Sequence, residues 1–485
     1  MKPILIIARK EFIEIARDGR ARAAAGIVLA LLLVALGFGW KQQRETARQQ
    51  AQAQRGARAV WLNQPEKDPH LAAHFGTYAF KPAMPTSYFD PGVDAYLGAA
   101  VLLEAHRQNV PKYAPVQDRT GVARFGELTA ALALQSLVPL VIILLAFAAF
   151  GAEREQGTLR QLLSLGVRPR DLALGKALGV AGALALLLVP AAIIGVIALA
   201  FSNPNQNNLN QSGPPSLPGL PRLSLMLFGY LLYFICFVAL SLFVSARARS
   251  SRLALAALLG FWVWNSLLAP RVVTDLARRW RPAPSPVQFA ENVAKDMRDL
   301  SWLNELKART LRQYNVARIE DLPVNWNGRL QQASEEHSSA VYEKHYRALW
   351  DAYERQQRVQ QWAAFGAPLL AARSYSMSLA GTDFAHYRDF AVAAERYRQT
   401  LIKALNDHLA RYGDTPSQVS IVDAELGQRY RADRGLWEQI PDFSYTPPGA
   451  GWALARQRVS LSLLCGWALA GAALTLLAAR RMKVE

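Results

Sequence analysis

Two apolar runs dominate the hydropathy pattern of this chain. Residues 128–152 and 177–201 each extend over 25 positions without an Asp, Glu, Lys, Arg or His. Both exceed the roughly 20 apolar residues that a helix needs to cross a bilayer core. Four more runs repeat the signal at 23–40, 223–246, 253–270 and 457–479, the last uncharged from Val459 onward. The pattern predicts an all-α membrane protein with six transmembrane helices.

Between the two longest runs lies a short charged stretch, 151–176, of which 153–176 form the loop proper. Leu159, Leu162, Leu163 and Val167 recur at helical spacing while Arg160, Gln161 and Ser164 fall elsewhere, which predicts a short amphipathic helix. Pro169 is expected to end it, with Arg168 and Arg170 at the membrane edge. A helix lying across the mouth of a transmembrane hairpin is placed where a partner protein pushes on it.

The polar segments complete the layout. Residues 1–22 set Ile4, Ala8, Phe12 and Ile15 on one side of a helix, among Lys2, Arg9, Lys10, Arg17, Arg20 and Arg22. That is the pattern of a basic helix lying in a lipid interface. A cleaved signal peptide fits less well, because the preface is long and no small-x-small site precedes Lys41. Residues 41–127 begin with good helix formers that continue the first helix out of the membrane, then become rich in proline and loop-like. Residues 271–456 carry helical stripes, Ala290/Val293/Met297/Leu300, Tyr342/Tyr346/Leu349/Tyr353 and Phe384/Tyr387/Ala391/Ala394/Leu401/Leu405, with no sustained alternation. Both segments are expected to be mostly helical domains, and the aromatic stripes to be packing faces.

Charge sets the expected orientation. The formal net charge is +18 and the mean hydropathy +0.05. The two long polar segments hold 11 basic against 8 acidic and 25 against 22 residues, so they are nearly balanced. The surplus sits in short segments abutting the apolar runs, at 1–22, 153–176, 247–252 and 480–485, as the positive-inside rule requires of cytoplasmic loops. The connector 202–222 is poor in charge and rich in Asn, Pro and Gly. Both termini are therefore expected in the cytoplasm, with 41–127, 202–222 and 271–456 outside it. A net charge distributed this way argues against a nucleic-acid partner.

Catalytic chemistry is hard to place. Gly175-Lys176-Ala177 lacks the hydroxyl and the first glycine of a phosphate-binding loop, and neither HExxH nor Gly-x-Ser-x-Gly occurs. Cys236 and Cys465 both fall in apolar runs, so they offer no disulfide framework to the polar segments. His70 and His74 are four apart but lack a third ligand at a recognisable spacing, which favours two surface histidines over a metal site. Glu335, Glu336 and His337 read as a solvated surface. Asn265, inside a span, is expected to hydrogen-bond a neighbouring helix. The chain is expected to be no enzyme and to hold no cofactor or metal. Spans without ionisable groups also argue that any uphill movement is energised by another chain.

The residues carry a family resemblance. ARKEFIEIARDGR before the first span resembles the N-terminal interfacial helix of ABC-2 type exporter permeases. EREQGTLRQLLSLGVRPRDLALGK resembles their loop between spans two and three, with Glu153, Arg154, Glu155, Gly157 and Thr158 matching its opening and Arg170, Gly175 and Lys176 its close. SYSMSLAGTDFAHYRDFAVAAERYRQTLIKALN, residues 374–406, resembles a block of the subfamily carrying the uncharacterised domain DUF3526. The resemblance implies a six-span inner-membrane permease with periplasmic domains, dimerising with itself or a sister permease. It implies ABC ATPase subunits that bind ATP and magnesium themselves and act through Glu153, Arg154, Glu155, Gly157, Thr158, Leu162, Arg170 and Lys176. It leaves cargo open. An alternative is a signalling or mechanical-coupling protein that moves periplasmic partners without passing cargo, and a further one is a membrane-anchored scaffold.

Overall fold

The computed structural model describes residues 2–114, 117, 128–202, 219–415 and 430–482. Most of the connector expected at 202–222, the end of the first polar segment and Lys483 lie outside these. Among the described residues, six helices are long and apolar enough to cross a membrane. They are α2 (Gly19–Leu62), α4 (Ala130–Glu155), α6 (Pro169–Ala200), α7 (Leu220–Arg247), α8 (Ser251–Trp280) and α16 (Arg458–Arg480). Between them lie α1 (Lys2–Arg17), α3 (Pro69–Phe75), α5 (Thr158–Ser164), α9 (Pro286–Met297), α10 (Ser301–Tyr314), α11 (Trp326–Ala363), α12 (Pro368–Ala380), α13 (Phe384–Tyr412), α14 (Arg434–Gln439) and α15 (Ala450–Arg456).

Asp18 divides the basic N-terminal helix from the first span. Its carboxylate accepts from the Arg20 N–H at 2.8 Å and so caps α2. At 1.5 Å per residue the 44 residues of α2 extend about 66 Å, twice a bilayer core. The excess runs on beyond the membrane as a polar shaft.

Two spans carry a π-helical turn, Ala133–Leu137 in α4 and Trp264–Leu268 in α8. Such an inserted residue rotates one side chain out of the regular stripe, and the buried polar side chains of these turns are Gln135 and Asn265. They join a buried relay. Asn265 accepts from the Leu369 N–H at 3.0 Å and donates to the Tyr233 hydroxyl at 3.2 Å. Tyr233 donates to the Gln135 carbonyl, and the Gln135 amide donates to Tyr230 at 3.0 Å. Tyr230 donates to Ser376, which donates to Asp90.

That relay exposes a difference from the sequence pattern. Residues 368–380 belong to the polar segment expected to stand clear of the membrane, yet α12 packs against α7 and α16. Leu369, Ala371, Ala372, Tyr375 and Leu379 share one apolar cluster with Val141, Phe237 and Leu464 of the spans. Gly229 makes the room, since a Cβ there would lie 2.5 Å from the Tyr375 ring. The small, uncharged run around Arg373 is too short to register as a span, and Arg373 itself stays exposed.

The first polar segment also holds a three-stranded antiparallel sheet, β1 (Thr77–Phe80), β2 (Ala100–Glu104) and β3 (Arg107–Gln108), in that order. Thr77 faces Leu103, and Leu103 faces Gln108. Strands this short leave little alternation to read. The aromatic stripes of the larger segment pack on one another: Tyr346, Trp350 and Ala391 are buried together with Tyr342 and Leu349 alongside.

Candidate coupling site

The stretch 151–176 folds as the last turn of α4 (Gly151–Glu155), the separate helix α5, and the start of α6. Gly157 permits the first break, adopting φ 75° between the two helices. Gly166 makes the second, at φ 81°. The Val167 N–H donates to the Leu162 carbonyl and the Gly166 N–H to that of Leu163, the paired bonds of a Schellman ending. Pro169 therefore does not end α5, as the sequence suggested. It occupies the first position of α6, where its missing N–H has no helical partner to lose.

Three consecutive side chains at the end of α4 grip four different elements. Glu153 is buried and accepts from Lys176 on α6 at 3.0 Å and from Lys10 on α1 at 2.9 Å. Lys176 is 1% exposed and also donates to Glu11 of α1 at 2.9 Å. Arg154 donates to the Ala246 and Ala248 carbonyls at 2.7 and 2.6 Å, closing the C-terminal end of α7. Glu155 accepts from the Ser251 N–H at 2.7 Å and its hydroxyl at 3.2 Å, capping α8. Thr158 donates to the Glu153 carbonyl at 3.2 Å.

The helix α1 reaches this node because α6 presents glycines to it. A Cβ on Gly175 would lie 2.6 Å from Ile7, and one on Gly179 would lie 2.6 Å from Glu11. Small residues four apart let two helices approach at backbone distance. The Gly-Lys at the close of the loop motif thus has a structural reason: the glycine admits α1 and the lysine ties it down.

The predicted residues divide into two sets. Glu153 and Lys176 are buried, and Arg154 and Glu155 are committed to the backbone between α7 and α8. Glu153 and Lys176 offer nothing to an outside partner, whereas Glu155, though it accepts from Ser251, is exposed. Leu162 packs, with Leu163 and Val167, against the core of the spans. Exposed are Gly157, Arg160, Gln161, Ser164, Leu165, Arg168 and Arg170, and Arg170 lies 3.7 Å from Asp171. Leu165 is 81% exposed, an apolar tip among arginines that the periodicity argument passed over. Glu11 was also missed. Its signal was an acid on the apolar side of the N-terminal helix, at helical spacing from Ile4, Ile7 and Ala8.

The Ser-Leu-Ala-Gly-Thr-Asp block is a second junction. Arg222 at the start of α7 is buried and donates to the Ser378 and Leu379 carbonyls at 3.2 and 3.1 Å, and to that of Pro448. Gly381 turns the chain at φ 76°. Thr382 donates to the Asp90 carbonyl at 2.9 Å, and Asp383 caps α13 while lying 2.6 Å from His386 Nδ1. Two other expectations change. Glu335 is buried against Arg398 at 2.9 Å instead of solvated, because α13 packs over that face of α11. His70 is buried as well, facing Asn406 of α13.

Six helices long and apolar enough to span, with a charged node between the second and third, mark a multi-pass membrane protein. The ABC-2 family transporter protein model matches residues 104–269, and the Domain of unknown function (DUF3526) model matches residues 296–446. The two matches are those of the ABC-2 type permease with DUF3526 that the sequence resembles, and they support a permease component of an ABC transporter, a family that works with an ABC ATPase. No curated protein matches it.

Proposed function

We propose that this permease couples a separate ATPase to export across a bacterial inner membrane, and that the ATPase docks on the exposed side of α5. The carrying observation is the set of three neighbours, Glu153, Arg154 and Glu155, each bonded to a different element. A push on α5 is delivered through Gly157 to the end of α4, and from there to α1 and α6, to the end of α7 and to the start of α8. Leu165, Arg160, Arg168 and Arg170 form the contact face. Glu153 and Lys176 act inside, as transmission. ATP and magnesium belong to the ATPase. Both termini face the cytoplasm, and the segments 41–127 and 271–456 project into the periplasm, where they meet periplasmic partners. Two permease copies, or this chain and a sister permease, pair in the membrane among lipids.

A second reading has its own support. The packing of α12 among the spans and the Arg222 bonds connect the outward segment rigidly to α7. Motion of the spans then reaches the periplasmic domains whether or not cargo passes. ATP-dependent cargo movement in vesicles holding the complex would count against this alternative.

The docking claim is tested by gentle extraction from native membranes and identification of what co-purifies, with wild type beside Glu155→Arg and Gly157→Trp. An ATP-binding protein recovered with wild type and lost from both variants is expected. Equal recovery from all three, or no ATPase at all, would remove the docking site and leave a scaffold.

A further inference from the structure

Three of the seven histidines of the chain converge far from the coupling site. His70 and His74 lie one turn apart on α3, and His106 sits in the turn joining β2 to β3. Their ligand nitrogens all fall within 4.8 Å of one another.

The neighbours of these rings fix where the protons are. His106 Nδ1 lies 3.0 Å from Glu335 Oε1. A carboxylate only accepts, so Nδ1 holds a hydrogen, which leaves Nε2 as the atom that can offer a lone pair to a metal. His70 Nδ1 lies 2.9 Å from Asn406 Oδ1. The Asn406 amide is oriented by its own donation to Gln332 Oε1 at 3.3 Å, so His70 Nε2 is likewise a lone pair. These two Nε2 atoms face each other at 3.1 Å. Two lone pairs at that distance repel unless a positive centre lies between them. The spacing is close to the ~3.3 Å expected of two nitrogens on a tetrahedral Zn²⁺ with bonds of about 2.0–2.1 Å. His74 is exposed, its ring 4.8 Å from that of His70 and 5.2 Å from that of His106. Its ligand nitrogen nonetheless lies within 4.8 Å of those of the other two.

The surroundings are those of a braced site. His106 is held at φ 62°, an uncommon conformation for a side chain of its size. Glu335 holds it there by accepting from its backbone N–H as well as its ring. Arg398 in turn anchors Glu335 at 2.9 Å and reaches the Glu104 carbonyl at 3.0 Å. A carboxylate behind a ligating imidazole is the usual outer support of such ligands.

We propose that His70, His74 and His106 bind one late first-row divalent transition metal ion, with a fourth position open to water. Imidazole-only ligation suits zinc, copper or nickel and disfavours calcium or magnesium. The ligands come from the first outward segment, and their supports, Glu335 and Asn406, come from α11 and α13 of the second. The bound ion therefore fastens the two segments together.

The test uses the full-length chain without a histidine tag, purified in detergent, stripped with a chelator, equilibrated with Zn²⁺ and dialysed. About one zinc per chain is expected by mass spectrometry for wild type, and Co²⁺ in its place should show the visible absorption of a tetrahedral site. His106→Ala should abolish binding. His74→Ala, whose side chain is exposed and leaves the fold intact, should weaken it at least tenfold. Glu335→Gln should weaken it 10- to 100-fold. Wild type that retains no zinc, or His74→Ala and His106→Ala variants that bind like wild type, would overturn the proposal. In that case the two facing rings share a proton. The readout needs neither ATPase nor cargo, so it stands apart from the coupling reading.

Discussion

Lys176→Met removes the buried cation that bonds both α1 and α4. Lys176 sits between Glu11 at 2.9 Å and Glu153 at 3.0 Å, and the three side chains are 1%, 7% and 9% exposed. At an effective dielectric constant of about 20, each of these pairs attracts with about 6 kcal/mol before desolvation is charged against it. Methionine keeps the stem and leaves little cavity, so the loss is electrostatic. It strands Glu11 in the protein interior and leaves Glu153 with the half-exposed Lys10, which it shares with Glu14. Breaking a buried pair in this way costs about 3–5 kcal/mol. Thermal unfolding in mild detergent, followed by tryptophan fluorescence, should show a midpoint lowered by several degrees. Adding Glu11→Gln should recover part of that loss, since the second change removes a charge the first left unpaired, giving a coupling of about 0.5–3 kcal/mol. A Lys176→Met variant that melts with wild type, or one whose loss simply adds to that of Glu11→Gln, would refute the node.

Four further outcomes are expected. Leu165→Asp should leave the melting midpoint within about 0.5 kcal/mol of wild type, as exposed substitutions do, while reducing recovery of the ATPase in pull-downs. Gly179→Leu should force α1 off α6 at a cost of about 1–3 kcal/mol, read as faster modification of a cysteine placed at Ile7. Asn265→Leu should leave the Leu369 N–H unpaired in an apolar setting, costing about 1–3 kcal/mol of thermal stability. At Asp383, desolvation raises the carboxyl pKa, but the hydrogen bonds and charge of His386 outweigh it and hold the group below its ordinary value. Its contribution should be complete above about pH 4 and lost as pH falls through the lower folded value; Asp383→Asn should melt with a flatter acid limb than wild type.

The membrane character, the six long apolar helices and the amphipathic loop were all legible in the sequence. The cost of placing a charge in hydrocarbon acts residue by residue along about 20 positions, so a local window suffices to read it. Leu159, Leu162, Leu163 and Val167 declared the packed face of α5 in the same local way. Single polar residues were different. Glu11 and Lys176 are 165 positions apart, and neither names its partner; only the approach of α1 over Gly175 and Gly179 makes them a buried pair. His106 lies 36 positions from His70 at no ligand spacing, and a strained turn brings it into register. Residues 368–380 read as part of a polar segment because they are too short to span, and were placed by the hollow that Gly229 leaves beside Tyr375. Periodicity reports which face of one helix avoids water, whereas the partner that covers it is a property of two helices together. The tertiary structure alone decided which elements Glu153, Arg154 and Glu155 hold.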